Sequence, residues 1–153
     1  MRIYLVRHGK AVSEAEDPSC PLSAEGRAQA EKVAQFLKRL NTRVDLIECS
    51  RKKRAIETAA IISAGINAAD KVVQRDGLQP NDSLAVVLED LRAAKGNRML
   101  VGHLPFMENM ASALLVGSSS RLNLHFRPAT VACLSGGGDF SWEIEYMVHP
   151  DLL

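Results

Sequence analysis

Three short stretches of the chain combine residue types suited to handling a charged ligand: Arg7-His8-Gly9, Ser50 followed four residues on by Arg54, and Gly102-His103. Guanidinium groups stay charged at any physiological pH, and their planar forks match phosphate or carboxylate oxygens two at a time. Imidazoles serve as nucleophiles, proton carriers or zinc ligands. Taken singly, an Arg or His beside a strand reads as a surface or capping residue. Together, two arginines and two histidines point to an anion. A zinc site is the rival reading, but His8 and His103 would need a further ligand, and two arginines beside a divalent cation would repel it.

These residues gain force from the elements that must carry them. Ile3 to Val6 is an apolar run that reads as a buried strand, and it runs directly into Arg7-His8-Gly9. A polar loop from Lys10 to Pro21 leads to Ser23, a helix cap ahead of the stripe Ala30, Val33, Ala34, Leu37, with the helix ending near Leu40. Val44 to Cys49 reads as a second strand, with Ser50 expected to cap a helix bearing Ala55, Thr58, Ala59 and Ile62 and stopped by Gly65. Val72 to Gln74 is a weaker strand. Asp82 is expected to cap a helix bearing Leu84, Val87, Leu88 and Leu91, with Gly96 as its stop. Met99 to Val101 is the next strand, Pro105 suits the first turn of a helix carrying Phe106, Met110 and Leu114, and Gly117 closes it. Thr130 to Leu134, the turn Gly136-Gly137-Gly138-Asp139 and the alternating Trp142, Ile144 and Tyr146 read as a late hairpin.

This alternation predicts an α/β fold, a three-layer α/β/α sandwich on a mainly parallel central sheet. In such sheets ligands bind beyond the carboxyl ends of the strands. That is where the arginines and histidines fall.

Composition limits the remaining choices. At 153 residues, 46% hydrophobic and 24% charged, the chain suits a single domain spanning 1–153 with a substantial core. Nineteen Lys and Arg against eighteen Asp and Glu leave a net charge of +1. That is too little for the whole-surface field of a nonspecific nucleic-acid or membrane-surface binder, so any electrostatic function is local. Cys20, Cys49 and Cys133 are odd in number and widely spaced, which argues against a disulfide framework or zinc ribbon. The first apolar run is too short for a signal-peptide core or a membrane span, so a cytoplasmic protein beginning at Met1 is expected.

The stretches Arg7-His8-Gly9-Lys10-Ala11, Ser50 to Ala59 with Arg54-Ala55 and Thr58-Ala59, and Gly102-His103-Leu104-Pro105 resemble the histidine phosphatase superfamily, whose fold is phosphoglycerate mutase-like. The compact length and the Arg-His-Gly-Lys-Ala start are most similar to SixA-type phosphohistidine phosphatases. The resemblance implies that His8 is the nucleophile that becomes phosphorylated, that Arg7 and Arg54 hold the phosphoryl oxygens, and that His103 completes the pocket, with no metal or other cofactor. It also implies a phosphohistidine-bearing protein as partner, such as a histidine-containing phosphotransfer domain, with neither nucleic acid nor membrane involved and a monomer favoured. Physically, nearby arginines disfavour a protonated His8, and its second ring nitrogen should donate to a carbonyl or carboxylate that fixes the tautomer.

The sequence departs from the family pattern in three places. Ser50 precedes Arg51-Lys52-Lys53 where Ser-Pro is common; the basic run is either a solvated helix start or a rim for an acidic partner. Glu57 replaces a frequent Gln and receives no catalytic role. Where many members carry a general acid after the third strand, Asp76 is the nearest candidate, although an Asp-Gly pair is equally ordinary turn chemistry. SixA-type members likewise show no obvious acid, and phosphohistidine leaves as neutral imidazole if its own ring is protonated. His125 and His149 read as surface or structural positions, and Cys49 as buried. Two other functions remain open at this point: a small-molecule phosphate ester phosphatase of the same superfamily, and a noncatalytic phospho-group binding module.

Overall fold

The computed structural model describes residues 1–137 and 140–153. Gly138 and Asp139 of the expected Gly-rich turn lie outside the described residues. Among the described residues six strands form one sheet: β1 (Arg2–Arg7), β2 (Leu46–Cys49), β3 (Val72–Gln74), β4 (Arg98–Gly102), β5 (Val131–Gly137) and β6 (Phe140–Val148), in the order β3-β2-β4-β1-β5-β6. The pairs β3–β2, β2–β4 and β4–β1 are parallel, whereas β1–β5 and β5–β6 are antiparallel. The sheet is therefore mixed, with a parallel half that carries the strand-end residues and an antiparallel half made by the late hairpin.

Alternation along β1 shows why helices cover both faces. Tyr4 and Val6 point to one side, where α1 (Ala24–Arg39) supplies Val33, Ala34 and Leu37, and α2 (Lys53–Gly65) supplies Ala55, Ala59 and Ile62. Ile3 and Leu5 point to the other, where α3 (Ala85–Ala93) supplies Val87 and Leu91, and α4 (Phe106–Val116) supplies Phe106, Met107, Met110 and Ala111. Parallel strands buried on both faces become continuous apolar runs, as in Ile-Tyr-Leu-Val and Met-Leu-Val. Among the described residues no helix is long and apolar enough to cross a membrane.

Several boundaries differ from expectation for identifiable reasons. Ser23 caps α1 as expected, its side chain accepting the Gly26 N–H at 3.0 Å. Gly117 closes α4 with φ +70°. Gly65, however, lies inside α2, where a Cβ would come within 2.7 Å of the Ala34 Cβ; its small size lets α2 approach α1. Gly96 acts similarly against Asp45, and α3 has already ended at Ala93. Asp82 does not cap α3; its carboxylate accepts the Gln79 N–H at 2.8 Å inside the preceding turn. Ser50 is not the cap of α2 either, because that position falls to Lys52, which offers no side-chain cap bond.

One buried charge cluster binds the parallel half together. Glu48 on β2 is only 4% exposed and accepts from Arg75 at 2.6 Å and Arg98 at 2.5 Å, and Arg75 also pairs with Asp90 of α3 at 2.9 Å. The loop after β3, the strand β4 and helix α3 are thereby fixed to one carboxylate.

Candidate active site

The end of β1 delivers Arg7 and His8 to the carboxyl edge of the sheet. Arg7 pairs with Gly102 across β1–β4, the His8 N–H donates to the Gly102 carbonyl at 3.0 Å, and the His8 carbonyl accepts from Ala129 N–H at 3.0 Å. His8 is thus clamped on both sides by backbone. The following glycine is forced by space: a Cβ on Gly9 would sit 2.6 Å from the Gly26 carbonyl oxygen, and one on Gly26 would overlap the Lys10 carbonyl. The Gly9 N–H donates to the Thr58 hydroxyl at 3.1 Å, which donates in turn to the Arg54 carbonyl at 2.7 Å. Thr58 therefore ties the His8 loop to the helix that carries Arg54.

His8 has its two ring nitrogens in different roles. Nδ1 lies 2.7 Å from the Gly9 carbonyl oxygen, an acceptor only, so Nδ1 carries the proton and donates. Nε2 then holds a lone pair, which accepts from Arg54 Nε at 3.2 Å. Burial is the main reason the His8 pKa falls to about 4; the Gly9 bond opposes the shift, and the charges of Arg54 and Arg7 add to it. The arginines foreseen as the cause are secondary to desolvation. His8 is neutral at pH 7 with its free pair on Nε2, the state a nucleophile needs.

His103 lies beside it, ring centroids 5.0 Å apart. Its Nε2 is 2.8 Å from the buried Ser50 hydroxyl, which already accepts the Lys52 N–H at 3.3 Å. The Ser50 hydroxyl has one proton and a second lone pair, so it can donate to His103 Nε2 or accept from it; when it donates, the ring proton is on Nδ1. Burial, followed by the charges of His8, Arg54, Lys52 and Arg7, lowers the His103 pKa to about 3. Arg7 donates from Nη1 to the Phe126 carbonyl at 2.7 Å. Two buried atoms of this cluster, Arg7 Nε and His103 Nδ1, have no hydrogen-bond partner among the described residues. An unpaired buried donor is costly; Arg7 Nε is one in any state, and His103 Nδ1 is a second in the tautomer that carries its proton there. A tetrahedral oxyanion carries the acceptors that such donors lack.

The structure thus brings Arg7, His8, Arg54 and His103 together. It does not bring Asp76 to them: that side chain is exposed and pairs with Arg51 at 2.7 Å. The Arg51 guanidinium holds the Asp76 carboxyl below the usual carboxylate range, the wrong direction for a group that must keep a proton at neutral pH. Arg51 is likewise engaged with Asp76 rather than free at the rim. Glu57 accepts from Leu22 N–H at 2.7 Å and pairs with Arg27 at 2.8 Å, which secures the loop preceding α1. His125 is exposed, His149 is half-buried near Asp151, and Cys49 is buried. Among the described residues no group of three or more His, Cys, Asp or Glu side chains is placed to hold a metal ion.

Sequence reasoning missed the roles of Ser50, Thr58 and the Phe126 carbonyl. Thr58 left a signal as a hydroxyl within the apolar stripe of α2, whereas the carbonyl left none.

A family model described as histidine phosphatase superfamily (branch 1) matches residues 3–82, and the chain belongs to that superfamily. An uncharacterized protein of Picosynechococcus sp. is 32% identical over 145 residues, covering 90% of this chain and 86% of that one. Among solved structures, the protein histidine phosphatase SixA complexed with tungstate superposes with a TM-score of 0.88 at 19% identity, with 99% of each chain covered. A putative phosphohistidine phosphatase SixA from Agrobacterium tumefaciens superposes with a TM-score of 0.78 at 27% identity, with 97% of each chain covered. The superfamily and these likenesses make the chain a phosphatase of SixA-like fold.

Proposed function

We propose that the protein removes phosphoryl groups from phosphohistidine on a partner protein through a phospho-His8 intermediate, without a metal ion. The observation that carries this reading is the His8 ring: neutral, fixed by the Gly9 carbonyl, and with its Nε2 lone pair beside the Arg54 guanidinium.

In the first step the Nε2 pair attacks phosphorus in line with the departing nitrogen. Arg7, Arg54 and the Nδ1–H of His103 stabilise charge on the three equatorial oxygens, a task that magnesium shares in many phosphoryl-transfer sites. Proton bookkeeping is simple, since Nδ1–H stays on the Gly9 carbonyl and phospho-His8 forms as its cationic ring. In the second step water attacks phosphorus, the bond from phosphorus to Nε2 breaks, both water protons end on the released dihydrogen phosphate, and His8 leaves as the neutral tautomer it began as. Both steps need a leaving imidazole rather than an alkoxide, so neither needs a dedicated protein acid.

A protein substrate is supported by the reach of the site. Only residues 75–84 separate β3 from α3, too few for a large lid over a small molecule. The SixA-like fold agrees. The partner class remains a phosphohistidine-bearing protein such as a histidine-containing phosphotransfer domain.

The test compares phosphate release from a phosphorylated histidine-containing phosphotransfer domain with release from alkyl phosphates, in chelator throughout. We expect turnover of the first far above that of the second, and acid-labile, alkali-stable label on quenched protein that disappears in His8→Ala. Faster turnover of an alkyl phosphate would transfer the assignment to the small-molecule esters. Turnover lost to chelator and restored by a divalent ion would remove the metal-free mechanism, and binding without turnover would make the protein a phospho-group binding module.

A further inference from the structure

Helix α4 starts just after His103, and its first turn carries one acidic residue, Glu108. Its charge reaches the phosphoryl-binding side: burial lowers the Arg7 pKa, and Glu108 acts against that shift. Glu108 also lines a cleft of about 240 Å³ with Asn123, Leu124 and His125. The opposite wall of that cleft runs straight into Phe126, whose carbonyl accepts from Arg7 Nη1. The cleft therefore borders, through His125, the Phe126 residue that holds Arg7, and the Glu108 charge acts on the same guanidinium.

A carboxylate is an unexpected neighbour for a phosphate site, because it repels the dianion that Arg7 attracts. Nor does Glu108 serve as a tether, since among the described residues its side chain makes no hydrogen bond or ion pair. An acceptor in a cleft beside a phosphoryl site suits a ligand whose phosphorylated portion is anionic and whose remainder is a hydrogen-bond donor. A phosphorylated imidazole has that distribution, with phosphate oxygens at one nitrogen and an N–H at the other.

We propose that this cleft receives the leaving imidazole and that Glu108 accepts a hydrogen bond from the ring nitrogen not bonded to phosphorus, an assignment that rests on the phosphohistidine reading above. As the bond from His8 Nε2 to phosphorus forms, the bond from phosphorus to the substrate nitrogen breaks, and its electron pair stays on that nitrogen. The other ring nitrogen already carries a proton, so the group departs as neutral imidazole. The Glu108 carboxylate favours that protonated ring before transfer. It stands to the substrate ring as the Gly9 carbonyl stands to His8. An ester oxygen offers Glu108 no donor, so the residue also discriminates between substrate classes.

The test is Glu108→Ala, which removes the acceptor as well as the charge, assayed with a phosphorylated histidine-containing phosphotransfer domain and with p-nitrophenyl phosphate. The variant suits a half-buried side chain with no protein partner. Expected is a fall of at least about tenfold in the ratio of kcat/KM for phosphohistidine to kcat/KM for the aryl ester, expressed in kcat, with part recovered in Glu108→Asp. Loss of a negative charge near Arg7 favours binding of any phosphate dianion, so a purely electrostatic effect has the opposite sign on KM. An unchanged ratio, or equal losses on both substrates, overturns the leaving-group role and leaves the phosphohistidine reading standing. An unaltered protein that cannot dephosphorylate phosphohistidine at all overturns both.

Discussion

At the scale of single residues, the site depends on keeping two imidazoles neutral beside two guanidinium groups. His8 is held to about 4 and His103 to about 3, against an ordinary value of 6.5, so neither changes charge near neutrality. A ring-proton NMR titration should show the His8 resonance constant as pH is lowered from neutrality, moving only around pH 4. A midpoint near 6.5 would mean that burial does not govern the ring. Arg54 faces His8 through its Nε, and the proposed mechanism assigns its terminal nitrogens to phosphoryl oxygens. Arg54→Lys keeps the charge but not the fork, and should lower kcat/KM by about 100-fold or more. Kinetics close to the unaltered protein's would remove Arg54 from the phosphoryl site.

At the scale of elements, the site is a set of strand ends and helix starts brought to one edge, and this is why so much of it could be read in the sequence. Apolar runs ending in Arg7-His8 and Gly102-His103 mark both a strand and its carboxyl terminus. What local pattern could not supply were partners distant in the chain. Ser50 has the type and place of a helix cap, yet its hydroxyl serves His103, 53 residues away. Gly65 and Gly96 look like helix stops, but they are needed for close packing against Ala34 and Asp45. Glu48 sits in an otherwise apolar strand, and only the fold discloses Arg75 and Arg98. Removing that carboxylate as Glu48→Ala leaves two guanidinium groups without their buried acceptor and should cost about 3–5 kcal/mol in chemical denaturation. A loss below about 1 kcal/mol would mean that the arginines find water instead. Close packing has a functional counterpart at Gly26, where an added Cβ would overlap the Lys10 carbonyl next to the His8 loop. Gly26→Ala should lower kcat/KM by about tenfold or more through displacement of His8, with α1 still formed by circular dichroism. Full activity would show that the loop yields without moving the nucleophile.

At the scale of the whole molecule, the mixed sheet separates support from chemistry. The antiparallel pair β5–β6 extends the sheet beyond β1 and seals the apolar faces, while the parallel strands aim their ends at one site. The sequence reading of a mainly parallel sheet captured the second part. The antiparallel pairing of β5 with β1 depends on Thr130 and Ala129 meeting Arg7 and His8 from the far end of the chain. A site built into the core in this way is linked to global stability. The unfolded chain binds protons at both histidines near the ordinary 6.5, whereas the folded chain resists until about 4 at His8 and about 3 at His103. Their contribution to stability is therefore complete above about pH 6.5 and declines as pH falls through that interval, because the unfolded state binds more protons. Carboxylates whose pKa values the fold lowers, such as Asp17 and Glu145, contribute at the acid end of the range rather than near 6.5. Urea unfolding of the unaltered protein should accordingly show stability falling from pH 6.5 toward pH 5, and His103→Asn should flatten that slope even if its stability at neutral pH is lower. An identical slope in the variant would mean that His103 is protonated in the folded protein, and would leave the phosphoryl pocket with a third cation in place of a neutral donor.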